Sequence, residues 1–344
     1  MKPLFVEVAQ RSPYYLLDSL GIIDWVISRR KSDGNLPLYI PSYHRFSEVK
    51  ETIPTIPRSI SQKAFKEQME YISRNFEPVP LSLIAFCIHK REPFPKNCIT
   101  ITIDDGYKDN YLYAFPILKS LGIPATIFLT TSYIDGVKTP WEAKITFAIK
   151  NTSLREINLK GIGRFHLGDE KKRYLAAKMI VKRLKKFTDR QKNRLVEELI
   201  RICKVNVPPE LGKELMLSWE EVREMSENGI EFGAHSLTHP ILTNMPLKDA
   251  REEIVLSKRQ IEENLGNPPL AFAYPNGDFN EEIVRIVREA GFLCAVTTMI
   301  EEVKPWSNPY KIGRVFGMDE DMHRFKAIIS GIYYKINNLW GLIR

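Results

Sequence analysis

The sequence predicts an α/β protein built on parallel strands, and three observations carry that prediction. Apolar, β-rich runs alternate with helix-period segments along most of the chain, the pattern that gives parallel strands joined by crossover helices. Two of the runs end in ionisable clusters. Cys98-Ile99-Thr100-Ile101-Thr102-Ile103 leads into Asp104-Asp105-Gly106, and Ile230-Glu231-Phe232-Gly233-Ala234 leads into His235-Ser236-Leu237-Thr238-His239. Sites in α/β sheets and barrels form at this C-terminal edge of the strands. Third, 344 residues with 44% hydrophobic and 27% charged side chains make an ordinary globular composition, enough for one large domain with appendages or for two domains.

The elements follow in order. A helical segment over 13–30 sits in a leading unit, 1–36, and a strand then runs to His44. Ser61 caps a helix over 61–75 that aligns Phe65, Met69 and Ile72 on one face. After the Asp-Asp strand come a helix over 113–121 and a β-rich run, 124–129. An insertion, 138–217, separates this part from the rest. Within 160–204 it carries fifteen Lys and Arg against five Asp and Glu, with apolar residues at helical spacing. That pattern predicts two or more amphipathic helices, over 169–186 and 188–203, the second capped by Thr188. Ser218 and Glu221 form a capping box for a helix over 218–228. The histidine strand, a helix over 246–265, a strand ending at Tyr274-Pro275-Asn276-Gly277, a helix over 281–290 and a strand over 294–298 complete the core. A tail, 321–344, contains Ile328, Ile329, Tyr333, Ile336, Leu339 and Trp340. It suits packing on the core or a membrane interface, and packing is the expectation.

The two clusters define the chemistry. Asp-Asp-Gly alone is often a turn, and two histidines four apart can simply fill space. Together, at two strand ends in a chain with only six histidines, they form a His₂Asp set of the kind that holds a catalytic metal with open positions. The other aspartate is then free to act as a base. Metal-assisted hydrolysis follows.

With the third segment, Ala273-Tyr274-Pro275-Asn276-Gly277, the chain resembles the polysaccharide deacetylases, carbohydrate esterases with a NodB homology domain. Thr102-Ile103-Asp104-Asp105-Gly106 matches their first motif, His235-Ser236 and His239 the second, and Ala273, Pro275 and Gly277 the third. The resemblance runs over about 37–315 with one long interruption. It implies a distorted, incomplete (β/α) barrel of seven parallel strands, formed by 37–137 and 218–320, with the basic helical insertion between them. It also implies Asp105, His235 and His239 as ligands of a divalent ion, most simply zinc, and Asp104 as base. The backbone N–H of Asn276 would bind the oxyanion, and an N-acetylated glycan would be the substrate.

Two departures move roles to new residues. Ala273 stands where the family has arginine, so Arg314 is the candidate partner of Asp104. No late Leu-x-His is evident, and His323 lies in a charged helix start. The strand ending at His44 instead resembles a branch with circularly permuted late motifs, which places the general acid at His44. Ser236 is expected to fix the metal loop. Tyr107, Tyr274, Trp141 and Trp306 are candidates for stacking on sugar, against the commoner fate of core packing.

Other classes are disfavoured. The four cysteines have no C-x-x-C spacing and read as buried thiols. No apolar run reaches the roughly 20 residues of a membrane span. Pro3, Glu7, Gln10 and Arg11 interrupt any signal-peptide core, so the expectation is a cytoplasmic enzyme. The net charge of +8 suits a solvated helical face or an anionic glycan or membrane surface, with the insertion or tail as candidate membrane contacts. No motif supports a nucleic-acid partner. Two rival readings are a hydrolase of a non-sugar ring amide on the same scaffold and a carbohydrate-binding protein that has lost catalysis.

Overall fold

In a computed structural model, residues 13–34, 36–50 and 56–339 are described. Seven strands form one sheet: β1 Pro41–Tyr43, β2 Ile101–Ile103, β3 Ala125–Leu129, β4 Ile230–Ala234, β5 Ala271–Ala273, β6 Cys294–Val296 and β7 Val315–Phe316. Their spatial order is β6-β5-β4-β3-β2-β1-β7, and every ladder is parallel. Ile312 makes a lone bridge to Val296 while Val315 pairs with Pro41. The segment entering β7 therefore reaches both ends of the row, and the sheet curls into an incomplete barrel.

Strand side chains alternate between two apolar layers, as the two-residue period requires. Ile101, Ile103, Ile127 and Leu129 join the larger core with the surrounding helices. Phe128, Ala271, Ala273, Cys294 and Val296 form a second cluster, packed with Ile84 and Ile88 of the helix Leu81–Lys90. Burial on both faces explains why these strands read as continuous apolar runs. The capping expectations match the observed geometry. Ser61 accepts from the Ala64 N–H at the head of Gln62–Asn75, and Ser218–Glu221 and Thr188–Gln191 close complete capping boxes.

Two local expectations need correction and two gain detail. The helical segment over 13–30 comprises two helices, Pro13–Ser19 and Ile22–Asp33, divided where Gly21 takes φ +70°. The helix over 113–121 starts as a π-helical turn, Asn110–Ala114, before Phe115–Leu121. Pro116 lacks the N–H that a regular ladder would use there. The run Cys98 to Ile103 serves two sheets: Cys98–Ile99 pairs with Glu77–Pro78, and only Ile101–Ile103 enters the barrel. The insertion, read as two or more helices, holds those over Glu170–Leu184 and Asp189–Cys203 and more besides. It adds the helix Trp141–Asn151 and an antiparallel hairpin, Glu156–Leu159 with Gly163–His166. Its own core gathers Ile145, Ile149, Ile157, Phe165, Ile180 and Leu199.

The N-terminal helices pack against the tail. Arg30 donates to the Ser330 carbonyl at 2.8 Å, Lys326 bonds Asp18, and Tyr14 meets Tyr333. Phe325 and Ile329 are buried in the main core. The Leu339 side chain, Trp340 and the rest of 340–344 lie outside the described residues, as do residues 1–12 with Pro3, Glu7, Gln10 and Arg11. Among the described residues no helix is long and apolar enough to cross a membrane.

Candidate metal centre and active site

Each cluster residue sits where a β-strand ends and the chain turns sharply. The Asp104 N–H still donates to the Tyr43 carbonyl, extending the β1–β2 ladder, while Asp105 takes φ +78°. The reversal turns two successive side chains to one site, which a continuing strand would send to opposite faces. Gly106 follows at φ +78°, a conformation glycine takes without the Cβ strain other residues meet, and a Cβ there would come within 2.8 Å of Leu129 Cδ2, which would have to shift. Ser236, His239 and Asn276 also lie in the left-handed region. Such non-glycine conformations cost free energy and concentrate at functional sites.

Asp105 Oδ1 lies 3.5 Å from Nε2 of His235 and 3.5 Å from Nε2 of His239, and one ligand atom from each of the three falls within 4.8 Å of the others. The Nδ1 of His235 is 2.7 Å from the Ala273 carbonyl, so Nδ1 carries the proton and Nε2 offers its lone pair inward. Burial, Asp104 and Glu142 together push the Asp105 carboxyl well above the usual range. Burial depresses the imidazoles of both His235 and His239. Two neutral imidazoles and one carboxylate converging in a buried pocket are a donor set that fits a divalent cation.

The His239 loop is fixed by its own residues and by one that the sequence did not reveal. Ser236 Oγ accepts from the His239 N–H at 3.0 Å, a holding role of the kind expected for it. Glu253 accepts from the N–H groups of Leu237 and Thr238 and from the Thr238 hydroxyl. It lies on the helix Leu247–Leu265, where nothing in its helical spacing distinguishes it from a surface glutamate.

Beside the ligands, Asp104 Oδ1 and Oδ2 accept from Arg314 Nη1 and Nη2 at 2.8 and 2.7 Å. Arg314 also donates to the Thr297 carbonyl and to Thr102 Oγ1. Burial raises the Asp104 carboxyl, but the doubly bonded guanidinium outweighs it and holds the group well below the usual carboxylate range. Arg314 is thus a buried partner rather than a surface side chain at a strand end.

His44 Nε2 stands 3.7 Å from Asp104 Oδ2. Asn110 holds its carbonyl at 2.9 Å, and Arg45 next to it pairs with Asp109 and covers the Tyr107 ring. Burial lowers the His44 imidazole to about 4, with Asp104 opposing. His44, Asp104, Asp105, His235, His239 and Arg314 border a cavity of about 210 Å³, together with Tyr107, Glu142, Lys185 and Asn276.

The remaining candidates divide. Tyr107 borders the cavity. Tyr274 also touches it, but its ring packs on Phe272 and Phe279 and its hydroxyl donates to the Tyr310 carbonyl, so core packing is its structural role. Trp141 is buried in the core of the insertion under Lys192. Trp306 is 73% exposed and does not border the cavity. His323 pairs with Asp18 and meets Tyr15 edge-on, away from the cavity. The charged helix start it belongs to is half-buried at this position. Asn276 lies at the cavity wall, its side chain held by Lys185 Nζ at 2.7 Å and by Asp278.

The family model for polysaccharide deacetylase matches residues 91–295, more than half of the chain. The protein YxkH of Bacillus subtilis is 22% identical over 243 residues, 70% of this chain and 58% of that protein; the chain therefore spans well under two thirds of that relative. The poly-beta-1,6-N-acetyl-D-glucosamine N-deacetylase of Staphylococcus aureus is 23% identical over 287 residues, covering 80% of this chain and 74% of the enzyme. Among solved structures, IcaB from Ammonifex degensii superposes with a TM-score of 0.56 at 19% identity, over 86% of this chain and 97% of that one.

Proposed function

This chain belongs to the polysaccharide deacetylase family, and we propose that it removes N-acetyl groups from an N-acetylated sugar in a polysaccharide or glycoconjugate. Water cleaves the amide C–N bond, leaving acetate and a free sugar amine. The observation that carries the reading is the adjacency of two units at one cavity: the convergent Asp105, His235 and His239, and an Asp104 kept ionised by Arg314.

A divalent ion, most simply zinc, held by Asp105, His235 and His239 would activate the attacking water and polarise the amide carbonyl. Asp104, ionised at neutral pH, takes the proton of that water as it attacks. His44 gives a proton to the leaving nitrogen. Its imidazole is neutral near pH 7, so it must first gain that proton, and Asp104 at 3.7 Å is the nearest group that has just received one. The backbone N–H of Asn276 serves as donor to the oxyanion, and Tyr107 forms part of the wall against the sugar. The presence of Asp104 together with all three ligand residues favours an enzyme over a binding protein that has lost catalysis.

The S. aureus relative is named for poly-beta-1,6-N-acetyl-D-glucosamine, which makes that polymer the first substrate to test. Zinc-loaded protein is expected to release acetate from it or from another N-acetylated glycan in a panel, and Asp104→Asn is expected to abolish most of that release. A panel without acetate release from metal-loaded protein contradicts the proposal.

A further inference from the structure

The two histidines of the cluster are held in different ways. His235 is oriented by the barrel itself, through the Ala273 carbonyl at 2.7 Å from Nδ1. His239 stands one loop further out, at φ +58°. Its backbone N–H is held by Ser236, which fixes the chain but not the ring. With Nε2 turned to Asp105, Nδ1 faces outward, towards the insertion. There Glu142 Oε1 lies 4.0 Å from it, the one carboxylate among the described residues within that distance of this nitrogen.

Glu142 is placed deliberately. It sits in the first turn of the helix Trp141–Asn151, entered through Pro140, and its side chain is 10% exposed. A carboxylate is rarely that buried without a partner. The Glu142 pair with His239 bridges the insertion to the barrel, and two further contacts hold the same seam: Lys185 Nζ to Asn276 Oδ1 at 2.7 Å and Asn244 Nδ2 to the Lys185 carbonyl at 3.3 Å.

We propose that Glu142, supplied by the insertion, is a positioning residue of the metal centre that orients the His239 ring from its Nδ1 side, as the Ala273 carbonyl orients His235. The inference rests on reading Asp105, His235 and His239 as ligands. Its physical basis is general: a ligating histidine held at its second nitrogen by a carboxylate is fixed in tautomer and orientation, and made more basic. The distance of 4.0 Å is longer than a hydrogen bond, and a small rotation of the ring brings its Nδ1–H into bonding range of the carboxylate. The insertion, on this account, helps build the centre as well as shaping what enters it.

The test is metal affinity, read by competition with a chelator. Wild type and Glu142→Gln are titrated with zinc, and the cobalt-loaded forms are compared by visible absorption. Glu142→Gln is expected to bind zinc about 10–100-fold more weakly, the usual cost of losing such a partner, and to shift the cobalt spectrum, with the melting temperature of the metal-free protein unchanged. Glu142→Asp, which keeps the charge on a shorter stem, is expected to fall between the two and serves as the test should the Gln variant fail to fold. A folded variant with wild-type affinity and spectrum overturns the role of Glu142 while leaving the ligands standing. A wild-type protein that binds no divalent ion overturns the ligand assignment itself, and this inference with it.

Discussion

Arg314 and Asp104, 210 residues apart in the chain, form a two-pronged ion pair in which both side chains are about 97% buried. It joins the approach to β7 with the end of β2, and the guanidinium is further tied to Thr297 and Thr102. Breaking a buried pair by removing one partner leaves an uncompensated charge and costs about 3–5 kcal/mol. Arg314→Met should therefore destabilise the protein by about that much, read by denaturant unfolding. It should also raise the Asp104 carboxyl and move the acid limb of the pH–rate profile to higher pH. A variant with unchanged stability and profile contradicts the pairing.

The same pair sets a direction for stability against pH. Asp104 is depressed below its ordinary value of 3.8. A carboxylate whose folded value is lowered stabilises the fold at every pH above the unfolded value, and loses that contribution as pH falls through the folded one. The pair's contribution should thus be complete from about pH 5 upwards and decay only in strong acid. Asp104→Asn should flatten that acid decay.

Asp104→Asn also separates base from ligand. The variant should retain bound metal while turnover falls about 10²–10⁴-fold, the usual cost of losing a general base. Asp105→Asn should lose the metal. Metal content measured beside acetate release distinguishes the two, and equal metal loss in both variants would show that the roles are not divided this way.

For His44 the direction is the same, in a higher pH window. Its imidazole is lowered from 6.5 to about 4, so the unfolded chain binds more protons between those values. Stability should rise as pH increases from about 4 to 6.5, by at most about 1.4 kcal/mol per pH unit for one proton, and less because 29% of the side chain is exposed. His44→Gln should remove that slope and lower turnover about 10²–10⁴-fold with metal retained. An undiminished turnover would remove His44 from the mechanism.

Lys185 reaches the cavity from the insertion and bonds Asn276. Lys185→Ala should raise KM for the glycan several-fold, with bound zinc near the wild-type level. Unchanged steady-state kinetics would limit Lys185 to docking the insertion.

How much of this was legible in the sequence depended on how local each signal was. Asp104-Asp105-Gly106 and His235 to His239 were readable because turn chemistry and strand ends are encoded within a few residues. The Ser61, Thr188 and Ser218 caps were readable for the same reason. Arg314 was suggested only by the alanine at 273; its burial against Asp104 depends on the curl that brings 312–316 to both ends of the sheet. Glu142, Lys185 and Glu253 were missed because tertiary docking, rather than any local pattern, turns them to the site. The hairpin in the insertion did leave a trace, the alternation of Ile157 and Leu159 before Lys160-Gly161, but the surrounding basic helices hid it.

The most direct measurement of the central claim is acetate released from N-acetylated glycans, poly-beta-1,6-N-acetyl-D-glucosamine among them, by the protein stripped of metal and then reloaded with zinc. The account predicts no release from the stripped protein, recovery at about one zinc per chain, and no recovery in His235→Ala or His239→Ala. Acetate release that persists without metal, or a zinc-loaded wild type that releases none, would contradict it.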